Sequence, residues 1–187
     1  MKHSYFTVRE LCACGLGAAV MTICTWIAIP LPSGISVTMQ TFAVFLITAL
    51  LGTKLGLTTV LVYLALGAAG VPVFSGMRGG LSVLMGVTGG YLIGFLFTAV
   101  VTGLLIRRLG RSVPALILSM VLGLAVCYLF GTIWFQLLYT GTNGNGMAFA
   151  SILGLCVLPY LLPDAVKLAL AVFLVRRLYG HLPIEQA

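Results

Sequence analysis

Long apolar runs, separated by short clusters of glycine, proline or basic residues, make up most of this chain. Runs at residues 11–29, 35–51, 55–71, 90–106, 113–138 and 164–178 lie in or near the roughly 17–25 residues an α-helix needs to cross a bilayer. Pro30 and Pro32 end the first run, and Gly52-Thr53-Lys54 turns the second into the third. The pattern predicts an all-α membrane protein of six transmembrane helices. A further apolar stretch at 147–158 is too short for a span and follows a loop signal, Gly141-Thr142-Asn143-Gly144-Asn145-Gly146; it reads as an interfacial or re-entrant segment. Pro163 is expected in the first turn of the last helix, where its missing N–H costs nothing.

Composition and charge sharpen this picture. Of 187 residues, 61% are hydrophobic and only 7% charged, with a mean hydropathy of +1.19. A soluble domain carries about 25% charged residues, so no soluble surface can be built here. The net charge of +7 does not imply a nucleic-acid partner. The basic residues stand in small groups at the ends of apolar runs, as topology signals do.

With both termini cytoplasmic, Lys2, Arg9, Lys54, Arg107, Arg108, Arg111, Arg176 and Arg177 fall inside. Only Arg78 is then outside, and Lys167 is in the membrane. A seventh span over 147–158 would move Arg176 and Arg177 outward, against the positive-inside rule. The segment from Met1 to Glu10 is polar and the run after it is span-length, so no cleaved signal is expected. One integral-membrane domain over residues 1–187, surrounded by lipid, is the expected organisation.

Two ionisable residues interrupt the last run, in Pro163-Asp164-Ala165-Val166-Lys167. The only other acids, Glu10 and Glu185, lie near the chain ends. A charge in a span costs about 2.5–3.5 kcal/mol on insertion scales and usually has a substrate, an ion or a partner charge as its reason. Asp164 and Lys167 are three apart and share a helical face, which Tyr160 continues if the helix begins early. The pair either ties the bundle together or anchors a ligand bearing both donors and acceptors.

Arg78 sits in a glycine-rich loop, Pro72-Val73-Phe74-Ser75-Gly76-Met77-Arg78-Gly79-Gly80, predicted to face outward. Arginine there suits a carboxylate or a lipid head group. The polar stretch Ser36-Val37-Thr38-Met39-Gln40 falls in the same outer half. Tyr91, after Gly89-Gly90, reads from its depth as an interfacial belt residue. Small residues Ala13, Gly15, Gly17 and Ala19 form a face that can pack within the chain or against another subunit.

Other chemistry is missing from the sequence. Cys12, Cys14, Cys24, Cys127 and Cys156 match no zinc spacing and are expected to fill a packed interior. There is no Gly-Xaa4-Gly-Lys-Ser/Thr loop, His3 and His181 lie at the ends, and no carboxylate pair stands in the membrane. No catalytic residue, metal site or cofactor is expected, and the chain is not expected to be an enzyme.

Several motifs taken together resemble the BioY biotin transporter family. They are Val37-Thr38-Met39-Gln40-Thr41-Phe42-Ala43-Val44, the stretch Leu66-Gly67-Ala68-Ala69-Gly70 running into the 71–80 loop, Thr88-Gly89-Gly90-Tyr91-Leu92-Ile93-Gly94-Phe95, and Pro163-Asp164-Xaa-Xaa-Lys167. They occur in the family's order along nearly the whole chain; Val87 departs from its usual proline. The resemblance implies a substrate-binding S component of an energy-coupling-factor transporter in a prokaryotic plasma membrane. Such a protein binds biotin from outside and works with a membrane-embedded coupling subunit and two ATPase subunits. Asp164 and Lys167 match the family's motif pair as biotin-binding residues, and Arg78, Gln40, Phe74 and Tyr91 sit in matching motifs.

The residues suit this ligand. Asp164 can accept from ureido N–H groups, Lys167 can donate to the ureido oxygen, Arg78 can meet the carboxylate, and side chains such as Phe74 can cover the ring. The resulting site charge of +1 matches a monoanion. Two other readings remain: a stand-alone secondary biotin transporter, and a membrane chaperone or assembly factor with no saturable ligand.

Overall fold

The computed structural model describes residues 6–30, 36–143 and 149–181. In chain order these form α1 (Val8–Trp26), β1 (Ala28–Ile29), β2 (Val37–Thr38), α2 (Gln40–Ala68), α3 (Leu81–Leu84), α4 (Gly89–Leu109), α5 (Val113–Asn143), α6 (Phe149–Cys156) and α7 (Leu158–Leu178), with a 3-10 turn at Tyr179–His181. Among the described residues, five helices (α1, α2, α4, α5 and α7) are long and apolar enough to cross a membrane. Hydrocarbon offers no partner for backbone N–H and C=O groups, so each apolar run satisfies its own as a helix. The polar start of α1 is closed by a capping box. Glu10 N donates to Thr7 Oγ1 at 3.2 Å, and Thr7 N donates to Glu10 Oε2 at 2.7 Å.

A straight α2 of 29 residues would be about 43 Å long. It is instead bent at Gly52, whose φ of 81° and ψ of 177° belong to a region open essentially to glycine alone. The bend reverses the chain. A Cβ placed on Gly56 would stand 2.9 Å from Thr48 Cα, whereas a straight helix would hold these residues about 12 Å apart. The arms 40–51 and 53–68 therefore run side by side, turning where the sequence predicts a turn. Helix α1 lies across both: a Cβ on Gly17 would meet Thr59 Cγ2 at 2.8 Å and Ile47 Cγ2 at 3.5 Å. Of the small-residue face predicted on α1, Gly17 thus packs within the chain, while Gly15 has no atom within 4 Å of such a position.

Helix α2 is the hub of the bundle, touching α1, α4 and α7, while α5 packs on α4. The core centres on α2 through Val44, Phe45, Val60 and Tyr63, with Met120 from α5. Polarity is inverted relative to a soluble domain: Leu16, Leu137 and Leu162 are exposed, while Gln40, Asp164 and Lys167 are buried.

Several predicted boundaries are corrected. Helix α1 ends at Trp26, and Ala28–Ile29 pairs with Val37–Thr38 as a short antiparallel ribbon, so the first run is not helical to residue 29. Helix α2 starts at Gln40; Ile35 lies outside the described residues. Gly141, Thr142 and Asn143 continue α5 instead of opening a loop, and Gly144, Asn145 and Gly146 lie outside the described residues.

The short stretch predicted at 147–158 contains the eight-residue helix α6; Met147 and Ala148 lie outside the described residues. Helix α7 begins at Leu158, with Pro159 in its first turn and Pro163 in its interior. Pro159, not Pro163, takes the position that needs no N–H, so the helix gains the turn that carries Tyr160. Cys12 is exposed, while the other four cysteines are buried and all five are free thiols.

Candidate functional site

A cavity of about 830 Å³, counting its open mouth, lies between the start of α2, the 72–80 loop, α4, α5 and the start of α7. All six residues singled out in the sequence line it: Gln40, Phe74, Arg78, Tyr91, Asp164 and Lys167. The fold brings them together from four segments of the chain: the start of α2, the 72–80 loop, α4 and α7.

Helix α7 supplies the ion pair. Asp164 and Lys167 are 3% and 5% exposed, and Lys167 Nζ donates to Asp164 Oδ1 at 2.6 Å. Thr41 Oγ1 donates to the same oxygen at 3.0 Å and accepts from Lys167 Nζ at 3.4 Å. Tyr128 on α5 donates to Asp164 Oδ2. A carboxylate has about four acceptor sites and an ammonium about three donors. These contacts leave the pair able to take one more donor at Asp164 and one more acceptor at Lys167. A buried pair with such spare capacity can bind a neutral group that presents N–H beside C=O.

The opposite wall is built by the first turn of α2 and the outer loop. Gln40 Nε2 donates to Tyr63 Oη at 2.6 Å, and Gln40 Oε1 accepts from Thr38 Oγ1 at 3.2 Å. Phe74 is buried, its ring edge-on to Tyr63 at 5.6 Å and 80°. A Cβ on Gly67 would fall within that ring, so glycine there lets Phe74 reach the cavity.

Phe74 and Arg78 pair by two backbone bonds, Phe74 N to Arg78 O at 2.9 Å and Arg78 N to Phe74 O at 3.3 Å. The turn between them uses positive φ at Gly76 (72°) and Met77 (55°). Arg78 is exposed at the mouth, with Nε donating to Ser75 O at 3.2 Å. A guanidinium held at a rim in this way can meet an anion arriving from solvent.

Tyr91 corrects the expectation from depth alone. It is a half-buried cavity wall residue, not a belt residue facing lipid. Its ring packs against Gly131, its hydroxyl is 3.4 Å from Thr132 Oγ1, and its carbonyl accepts from Cys127 Sγ at 3.6 Å.

Thr41, Tyr128, Cys127 and Cys156 also line the cavity and were not singled out from the sequence. Thr41 adjoins Gln40 in a quoted motif and could have been found there. Tyr128 and the two cysteines lie inside apolar runs, where nothing distinguishes them from core.

Comparison with known proteins gives a consistent set of likenesses. A model of the BioY family matches residues 1–183. The chain is 41% identical over 147 residues to a probable biotin transporter BioY of Pyrococcus horikoshii, covering 79% of this chain and 82% of that protein. It is 32% identical over 193 residues to the biotin transporter BioY of Rhizobium etli, covering 97% and 98%. Among solved structures, the S-component for biotin from an ECF-type ABC transporter superposes with a TM-score of 0.81 at 26% identity, covering 94% of this chain and 95% of that one.

Proposed function

The chain belongs to the BioY family, and on that premise we propose that it is the biotin-binding S component of an energy-coupling-factor importer. It captures biotin on the outer side of a prokaryotic plasma membrane. A coupling subunit and two ATPase subunits supply the energy for import. The relatives are named as transporters, and the family is not one of enzymes.

The observation that carries this reading is the buried Asp164–Lys167 pair, unsaturated on both partners, facing a cavity whose rim holds Arg78. Biotin presents complementary groups. Its ureido N–H donates to Asp164 and its ureido oxygen accepts from Lys167, both as charge-assisted bonds. Phe74 and Phe95, which both line the cavity, cover the fused ring, and Arg78 meets the valerate carboxylate. Two cations against one carboxylate give the site +1, balanced by the monoanionic ligand.

On this reading the two arms of α2 are separate crossings, the first extended outward by the non-helical residues 36–39 ahead of Gln40. The total is then six, with both termini on one side, taken as the cytoplasmic one. That count places Arg107, Arg108, Arg111, Arg176 and Arg177 on the cytoplasmic side, as the positive-inside rule requires. The open side of α1, with Gly15 uncrowded and Leu16 exposed, supports contact with a partner helix.

Two measurements test the proposal. Calorimetric titration of the purified chain with biotin is expected to show saturable binding at one site. Uptake of labelled biotin by cells expressing this chain with and without coupling subunits is expected to require them. Full uptake by the chain alone would replace the S-component assignment with that of a stand-alone transporter.

A further inference from the structure

One directional chain of hydrogen bonds leaves the cavity and ends on the outer loop. Thr38 Oγ1 donates to Gln40 Oε1 (3.2 Å), Gln40 Nε2 to Tyr63 Oη (2.6 Å), and Tyr63 Oη to the Val73 carbonyl (2.9 Å). Thr38 and Gln40 line the cavity; Tyr63 does not, and is fully buried behind it. Its hydroxyl also stands 3.0 Å from Thr25 Oγ1 on α1. Bonds aligned head to tail polarise one another in a low-dielectric interior, so a donor arriving on Gln40 Oε1 strengthens each later link.

The last link is Val73, the residue before Phe74. Phe74 in turn is fastened through its backbone to Arg78. The relay thus runs from two polar side chains on the cavity wall to the base of the loop that carries the exposed cation at the rim.

We propose that Tyr63 is a positioning residue that couples ligand contact at Thr38 and Gln40 to the seating of the 72–80 loop, and with it Arg78, over the cavity. This rests on the biotin reading and deepens it: the two walls of the site act as one unit, and a side chain that touches no ligand joins them. The Val73 carbonyl that accepts from the Tyr63 hydroxyl shares its peptide group with Phe74 N, which donates to the Arg78 carbonyl at 2.9 Å.

The test is a double-mutant cycle with Tyr63→Phe and Arg78→Ala, read as biotin affinity. Phenylalanine keeps the ring against Phe74 and removes the hydroxyl, and with it the relay and the Thr25 contact, which does not lead to the loop. Tyr63→Phe should weaken binding about tenfold, the scale of one net hydrogen bond. Arg78→Ala should cost about tenfold or more in the parent but less than about threefold in the Tyr63→Phe background, because the loop is no longer held. Losses that simply multiply would overturn the proposal, since a merely structural tyrosine predicts independence.

Hydrogen exchange on the unmodified protein decides the matter if a variant fails to fold. The Arg78 amide, which donates to Phe74 O, should exchange at least several-fold more slowly with biotin present; unchanged protection refutes the coupling. Absence of biotin binding by the parent protein would remove the biotin reading and this proposal together. Normal parent binding with multiplicative losses would remove the relay alone.

Discussion

Neutralising one partner of the Asp164–Lys167 pair should harm the protein far more than neutralising both. In Asp164→Asn the Lys167 ammonium stays 5% exposed and loses its counter-charge, keeping only neutral acceptors, the amide oxygen and the Thr41 hydroxyl at 3.4 Å. In Lys167→Met the carboxylate keeps the Thr41 and Tyr128 hydroxyls but loses its counter-charge. Breaking a buried pair from one side costs about 3–5 kcal/mol. At about 2–4 °C per kcal/mol for a chain of this size, the apparent melting temperature should fall by roughly 10 °C.

The double variant Asp164→Asn/Lys167→Met buries no charge and keeps the side-chain shapes. It should return to within about 1–2 kcal/mol of the parent, since removing both charges together leaves no uncompensated ion in the interior. Biotin capture should fail in all three variants. Two charge-assisted bonds at about 1.5–3 kcal/mol each amount to two to four decades of affinity. The assay pairs a thermal unfolding scan in detergent with a biotin titration on the same preparations. A double variant that is stable and still binds within threefold of the parent would refute the reasoning, because the pair would then be a fastening and nothing more. Single variants as stable as the double would refute the premise that the pair is desolvated.

Other consequences are open to measurement. Arg78→Ala should weaken biotin by at least about tenfold while leaving the affinity for biotin amide unchanged; equal losses in parallel titrations would take Arg78 off the carboxylate. Tyr128→Phe should lower biotin affinity about tenfold by freeing Asp164 Oδ2 to rotate, with the melting temperature little changed. Gly67→Ala should push the Phe74 ring off the cavity wall, costing about 1–3 kcal/mol of stability and weakening biotin in the same titration. Gly52→Ala should cost about 1–3 kcal/mol through backbone strain at φ 81°, seen as a lower melting temperature with biotin affinity per folded molecule unchanged.

Much of this arrangement is legible in the residues because the bilayer leaves few options. An apolar run must be helical, so the runs that became α1, α2, α4, α5 and α7 were readable, as was the turn at Gly52. Asp164 and Lys167 announced themselves by being charged where charge is costly, and their spacing put them on one face. Helix ends were harder. Ala28 and Ile29 are apolar whether they extend a helix or pair with β2, and composition does not separate the two. Gly141 to Asn143 look like a loop in water, yet continuing the backbone ladder of α5 outweighs their weak helix propensity. Pro163 looked like a start signal, but Pro159 can open the same helix, and the sequence holds no term that ranks them. Tyr63 and Tyr128 stayed hidden because a tyrosine in an apolar run looks like core until its hydroxyl is seen to have partners from distant segments.

The contact between Lys167 and Asp164 has a last consequence. The pair is 2.6 Å apart, so its two charges cancel over a distance far smaller than the bilayer is thick. Moving one unbalanced charge through the membrane field involves about 2.3 kcal/mol per 100 mV. A dipole this short feels almost none of that. Wherever the bundle holds it in the membrane, the pair itself is electrically silent, and the unbalanced charge of the cavity is that of Arg78 at the rim.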